Sequence, residues 1–185
     1  MARTTSRRGG ALDSLIGLFK ERGFAGASLS DLAAASGLGR ASLYHHFPGG
    51  KAEMGRAALA QAGQRFARLV IAPLTQNAPP AQRLLRMIDG IAQFYGEAPL
   101  ACLTNTMTLG GGADFRQAIA ASQHAWLARM ADAFAATGLA ASEARARAEA
   151  LAASMHGALV LGRVLEDPAL FARQLERMRA EVRAL

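Results

Sequence analysis

Cysteine is almost missing from this chain: Cys102 is the only one in 185 residues, which excludes an intrachain disulfide and fits a reducing cytosol. Long apolar runs are missing too. No stretch of about 18 uninterrupted apolar residues occurs, so no segment reads as a membrane span, and the basic amino terminus has no apolar export-signal core. β-Branched residues are few, and no alternation of apolar and polar residues is bounded by hairpin turns, which argues against a sheet. Acidic residues are outnumbered, 14 against 21 lysines and arginines, for a net charge of +7. That balance suits nucleic acid or an anionic surface. What remains is an Ala-rich, all-α protein expected in the cytoplasm, long enough for one or two small domains with a proper core. The excess of Ala, Gly and Arg hints at a GC-rich bacterial genome.

Motifs for catalysis and cofactor binding are lacking as well. Gly37-Leu-Gly-Arg-Ala-Ser has neither the preceding strand nor the third glycine of a dinucleotide turn. Pro48-Gly-Gly-Lys lacks the upstream glycine and the following Ser or Thr of a phosphate loop. Gly110-Gly111-Gly112 reads as a helix break. Cys102, His124 and His156 have no metal-ligand spacing, and no carboxylate pair or Ser/His/Asp set stands out. No cofactor, metal or catalytic residue is assigned, and the chain does not read as an enzyme.

The informative stretch is residues 28 to 51. Ser28 is followed three residues later by Asp31 at the start of an apolar run, the pattern of a capping box, in which side-chain oxygens satisfy the free N–H groups of a new helix. Leu29, Leu32, Ala33 and Ser36 share a face, and Gly37 supplies the left-handed backbone of a tight exit. A second helix from Arg40 to about His46 has Leu43 and Phe47 as apolar anchors and ends at Pro48-Gly49-Gly50. Two short helices joined by a glycine turn form a helix-turn-helix, whose second helix enters the DNA major groove. The remaining side chains suit that task. Arg40 stands where it can reach a guanine edge or a phosphate, and small Ala41 and Ser42 let the backbone approach. Tyr44, His45, His46 and Lys51 offer polar tips and charge, and Ser28 and Ser30 complete the candidate DNA-contact set. Residues 1 to 51 carry seven Lys and Arg against three Asp and Glu, so the positive excess is densest here.

Leu43-Tyr44-His45-His46-Phe47-Pro48, with Gly37 before it and Lys51 after it, closely resembles the recognition segment of the TetR family of bacterial one-component repressors. The turn Pro-Gly-Gly-Lys resembles a branch whose turn is one residue longer than the commoner form. The resemblance is specific over roughly residues 10 to 60. It implies a DNA-binding head, residues 1–52, followed by a ligand-binding and dimerisation domain, residues 53–185.

Helical periodicity continues along the whole chain. Residues 1 to 8 read as a loose basic arm, and Leu12, Leu15, Ile16 and Phe19 recur in a helix ended by Gly23-Phe24. A long helix is expected from Lys51 to Ala72, stopped by Pro73, and another over residues 80 to 97, interrupted by Pro99-Leu100. A short helix within residues 101 to 112, a long one from Asp114 to Thr137 and another from Ser142 to Leu165 follow. Asp167-Pro168 reads as the cap and first residue of the last helix.

Met87, Ile91, Phe94, Tyr95, Cys102, Met107, Phe115, Trp126 and Met130, with Asn105 among the hydroxyl and amide groups, are the candidate wall of a pocket for a small, largely apolar effector. Residues 151 to 165 are apolar on nearly all sides, and Phe171, Leu175 and Met178 recur in the last helix as a packing seam. With Gly157 and Leu161 they form the candidate homodimer interface, and the resemblance implies that the last two helices build a four-helix bundle with their mates. The expected protein is a repressor released from a palindromic double-stranded operator by its effector. The alternative is a repressor sensing electrophiles or oxidants through the Cys102 thiol.

Overall fold

The computed structural model describes residues 2–96, 101–108 and 112–185. The expected interruption at Pro99-Leu100 and the Gly110-Gly111 part of the glycine break lie outside the described residues. Within them the fold is all-α, with no strand. The elements are α1 (Ala2–Gly26), α2 (Leu29–Ser36), α3 (Arg40–His46), α4 (Gly50–Phe66), a π turn (Ala67–Ile71), a 3-10 turn (Ala72–Thr75), α5 (Pro80–Tyr95), α6 (Leu103–Thr108), α7 (Gly112–Ala135), α8 (Ala141–Val164) and α9 (Ala169–Arg183). α1 begins at Ala2, so the residues expected to form a loose arm continue the helix instead. It breaks where expected, at Gly23, whose φ of 68° a side-chain-bearing residue rarely adopts.

The chain divides into two compact units, residues 1–63 with 101–119, and residues 64–100 with 120–185. A cut at residue 52 therefore does not separate them. The first unit keeps most of α4 and takes in α6 and the start of α7. Its core joins Leu15, Phe19, Leu32, Leu43, Phe47 and Met54 to Leu103, Met107, Phe115 and Ile119. The reason is steric and polar together. Gly55 on α4 leaves room for the Phe115 ring and the Met107 methyl, which would lie 2.8 and 3.2 Å from a Cβ placed there. The Thr106 hydroxyl donates to the Phe19 carbonyl at 3.1 Å, so α6 satisfies a backbone group near the end of α1.

The second unit is built on α5, α8 and α9. Leu84, Met87, Ile88 and Ile91 form the buried stripe of α5, and α9 lays Phe171, Leu175, Met178 and Val182 against α5 and α8. Arg179 of α9 adds an ion pair to Asp89 of α5 at 2.8 Å. The expected straight run to Ala72 does not occur: α4 stops at Phe66 and a π turn follows. Pro73 explains the change, because it has no N–H to give the Leu69 carbonyl four residues earlier. That carbonyl faces Gly90, where an added Cβ would lie 1.8 Å from the oxygen. Only glycine allows this approach between the π turn and α5.

Candidate nucleic-acid interface

The helix-turn-helix forms as its local chemistry dictates. Ser28 and Asp31 make the full capping box: the Asp31 N–H donates to Ser28 Oγ at 3.1 Å, and the Ser28 N–H donates to Asp31 Oδ2 at 3.0 Å. The Ser28 hydroxyl also donates to that carboxylate at 2.7 Å, and Arg22 of α1 pairs with it at 3.0 Å. The Ser28 hydroxyl and then its N–H, with a lesser contribution from the Arg22 charge, hold the Asp31 carboxyl below its ordinary value against the opposing effect of desolvation. Gly37 closes α2 at φ 66°, its N–H bonded to Ala34 O.

α3 is held from beneath by Leu43 and Phe47, both buried. Arg40, Ala41, Tyr44 and His45 are exposed and, at i, i+1, i+4 and i+5, make one face. Ser42 and His46 flank it, half-buried, and the two histidine rings meet edge to face at 5.5 Å. The Arg40 guanidinium donates to Ser30 Oγ of α2, which ties the first residue of α3 to the preceding helix while leaving further donors for a groove. Ser28 and Ser30 are exposed, but the Ser28 side chain is already committed to the cap.

Lys51 differs from the rest of the expected set. It is half-buried, its ammonium donates to Ala25 O at 3.3 Å, and it sits 4.7 Å from the centre of the Phe24 ring. It binds the end of α1 and does not stand on the exposed face. Two residues of the turn region, Glu53 and Arg56, escaped the sequence reading. Glu53 accepts from the Gly49 N–H at 2.7 Å and closes the start of α4. Gly50 takes φ 63° with the Tyr44 ring against it. Exposed Arg56 has its guanidinium 3.8 Å from the Cβ position of Gly49, which adds a cation beside the Pro-Gly-Gly turn. Only Glu53 left a signal, as an acid in the first turn of a helix.

The expected effector residues are split between the units. Cys102, Met107 and Phe115 are buried in the first, with Asn105 half-buried beside them. Met87, Ile91, Trp126 and Met130 are buried in the second, with Phe94 and Tyr95 half-buried. The interface residues are split differently. Phe171, Leu175 and Met178 are not a surface seam, because they are core within their own chain. Leu161 is 51% exposed, in company with Val160 at 51%, Val164 at 71% and Leu165 at 62%. A Cβ at Gly157 would meet nothing within 4 Å, so close crossing inside the chain does not explain that glycine. Among the described residues no three His, Cys, Asp or Glu gather as metal ligands would, and no helix is long and apolar enough to cross a membrane.

Residues 11–58 match the model of the bacterial regulatory proteins of the tetR family. The match runs from α1 into α4, so this segment is an amino-terminal DNA-binding domain of the TetR type. Solved structures are similar over almost the whole chain. A TetR-family transcriptional regulator from Streptomyces coelicolor shares 18% identity, with 97% of this chain and 96% of that chain covered and a TM-score of 0.80. A TetR transcriptional regulator from Legionella pneumophila shares 16%, with 92% and 94% covered and a TM-score of 0.78. The reduced form of NemR from E. coli shares 22%, with 95% and 96% covered and a TM-score of 0.71. No curated protein sequence matches the chain. The likeness establishes the architecture, a helix-turn-helix head followed by a helical domain.

Proposed function

We propose that the chain is a dimeric, ligand-responsive transcriptional repressor that acts in the cytoplasm. The observation that carries this reading is the exposed Arg40, Ala41, Tyr44, His45 face of α3, fixed from below by Leu43 and Phe47, within a segment matching the tetR-family model. Such a helix presents side chains to base edges while its backbone stays rigid. Two heads reading half-sites about 34–36 Å apart combine their binding energies on a palindrome. Footprinting on the DNA flanking the gene tests this. One discrete palindromic footprint is expected, and uniform protection at all sequences would replace a repressor by a non-specific coating protein.

The second copy covers Val160, Leu161 and Val164 of α8 and the capping Leu165, a run of large apolar side chains that one chain leaves in water. The effector is a small, largely apolar molecule, and its site lies in the second unit, among Met87, Ile91, Phe94, Tyr95, Trp126 and Met130. Its binding must favour one spacing of the two heads, since equal affinity for both states shifts nothing. The burial of Cys102 to 5% weighs against direct attack by its thiol on electrophiles.

A further inference from the structure

The second unit contains three buried side-chain nitrogens without a hydrogen-bond partner among the described groups, Arg83 Nε, Trp126 Nε1 and His156 Nδ1, and the last two lie on neighbouring rings. The Trp126 indole is fully buried, and its Nε1 has no hydrogen-bond partner among the described groups; neither does the buried Nδ1 of His156. Trp126 lies on α7 and His156 on α8, with ring centroids 6.4 Å apart and planes at 78°. Buried donors and acceptors are nearly always paired, and an orphan costs the full desolvation of its group. Two orphans on neighbouring rings share one explanation more economically than they have two.

The surroundings define what would answer them. Phe66 meets Trp126 edge to face at 5.2 Å and Phe94 at 5.3 Å, which continues the aromatic wall. Met130, one turn along α7 from Trp126, is buried and adaptable. Close backbone approaches of this unit include those of α8 with α9 and of α5 with α9, the π turn and the 3-10 turn. α7 meets Phe66 and His156 through the Trp126 ring. No charged residue is fully buried among the described residues; Arg65 lies at the edge of this wall, its guanidinium carbon 5.6 Å from the centre of the Phe94 ring.

We infer that Trp126 and His156 are the polar anchor of the effector site, and that the effector is an aromatic molecule carrying one oxygen acceptor, a ketone or a phenol. The indole N–H donates to that oxygen. The imidazole Nδ1 accepts a phenolic proton or, as the protonated tautomer position, donates to a carbonyl. The aromatic body lies against the Phe66 and Phe94 wall. This rests on the ligand-responsive reading above and gives its ligand a chemical class.

The test uses the full chain and four probes: acetophenone and p-cresol with their hydrocarbon counterparts ethylbenzene and p-xylene. Trp126 is the only tryptophan, so its emission and its single indole N–H resonance report this site alone. At least one oxygen-bearing probe is expected to move the indole resonance downfield and to bind about tenfold tighter than its hydrocarbon, the worth of one hydrogen bond. His156→Phe should erase that preference while the helix signal and apolar binding persist. Equal affinity for each pair, an indole resonance unmoved by all four, or a preference unchanged in His156→Phe overturns the anchor. Operator release is followed in parallel. A moved indole without release leaves the anchor standing and removes the ligand-responsive reading; release with an unmoved indole does the reverse.

Discussion

The two units solve the burial problem by different means. The first is tied by short-range polar devices: the Ser28–Asp31 box, the Gly37 exit, the Glu53 closure of α4 and the Lys51 contact on α1. Its core fills with aliphatic and phenyl groups, and the polar atoms named at its turns are paired. The second is tied by a chain of rings that runs from Trp126 through Phe66, Phe94 and Tyr95 to Phe171, and it leaves two buried nitrogens unpaired beside that chain. A surface that must meet DNA in one geometry benefits from rigid local locks. In the second unit the ring packing leaves the Trp126 and His156 nitrogens as unused polar capacity, which is what the proposed effector would meet.

The largest blow to this contrast should come at Gly90. Gly90→Ala forces a Cβ against the Leu69 carbonyl, and because that contact is backbone, the second unit should lose more than about 3 kcal/mol. Urea unfolding checks this; a loss under about 0.5 kcal/mol would mean that the two segments are not in the contact described. Phe115→Ala comes next. It lies far outside residues 1–52 yet should cost the head about 3–5 kcal/mol, the usual price of deleting a buried phenyl ring, and should weaken DNA binding through loss of α3 support. Hydrogen exchange of the Leu43 and Phe47 amides reads the effect directly.

Smaller changes sharpen the comparison. Arg40→Ala should reduce operator affinity by about 1–3 kcal/mol with circular dichroism unchanged, and a mobility-shift titration over single-base operator variants shows whether a base or a phosphate contact was lost. The smallest effect is in pH. The Asp31 carboxyl is held below its ordinary value near 3.8 by Ser28 and then Arg22, and that of Asp167 by Arg173, with the Ala169 N–H helping. A depressed carboxyl stabilises the fold fully above its unfolded value, and the contribution disappears as pH falls through the folded one. Stability should therefore decline below about pH 4, and Asp31→Asn should flatten the decline for the head while Asp167→Asn flattens it for the second unit. Identical pH profiles in both variants and the parent would remove these carboxylates from the acid response.

What could be read from sequence follows the same division. The helix-turn-helix was legible because its signals sit within four residues of one another, as Ser28 does with Asp31. The hold of α6 on the head was not, since Thr106 and Phe19 are 87 residues apart and neither residue type announces a tertiary partner. Lys51 looked like a free cation for the same reason: the carbonyl it caps is 26 residues away. The seam of Phe171, Leu175 and Met178 was correctly a packing seam, but spacing alone cannot distinguish a neighbour in the same chain from a second copy. The π turn was hidden because Pro73 signals only that a helix is disturbed, and Gly90, which receives the displaced strand of backbone, looks like any lone glycine in a helix.

The placement of α6 bears on how such a head can be exchanged between proteins. A graft of residues 1–52 would leave behind Met54, Leu103, Met107, Phe115 and Ile119, which complete its core, and would expose the Phe19 surface they cover. The transferable module is discontinuous, residues 1–63 with 101–119, so a working chimera needs two crossover points in the receiving chain rather than one.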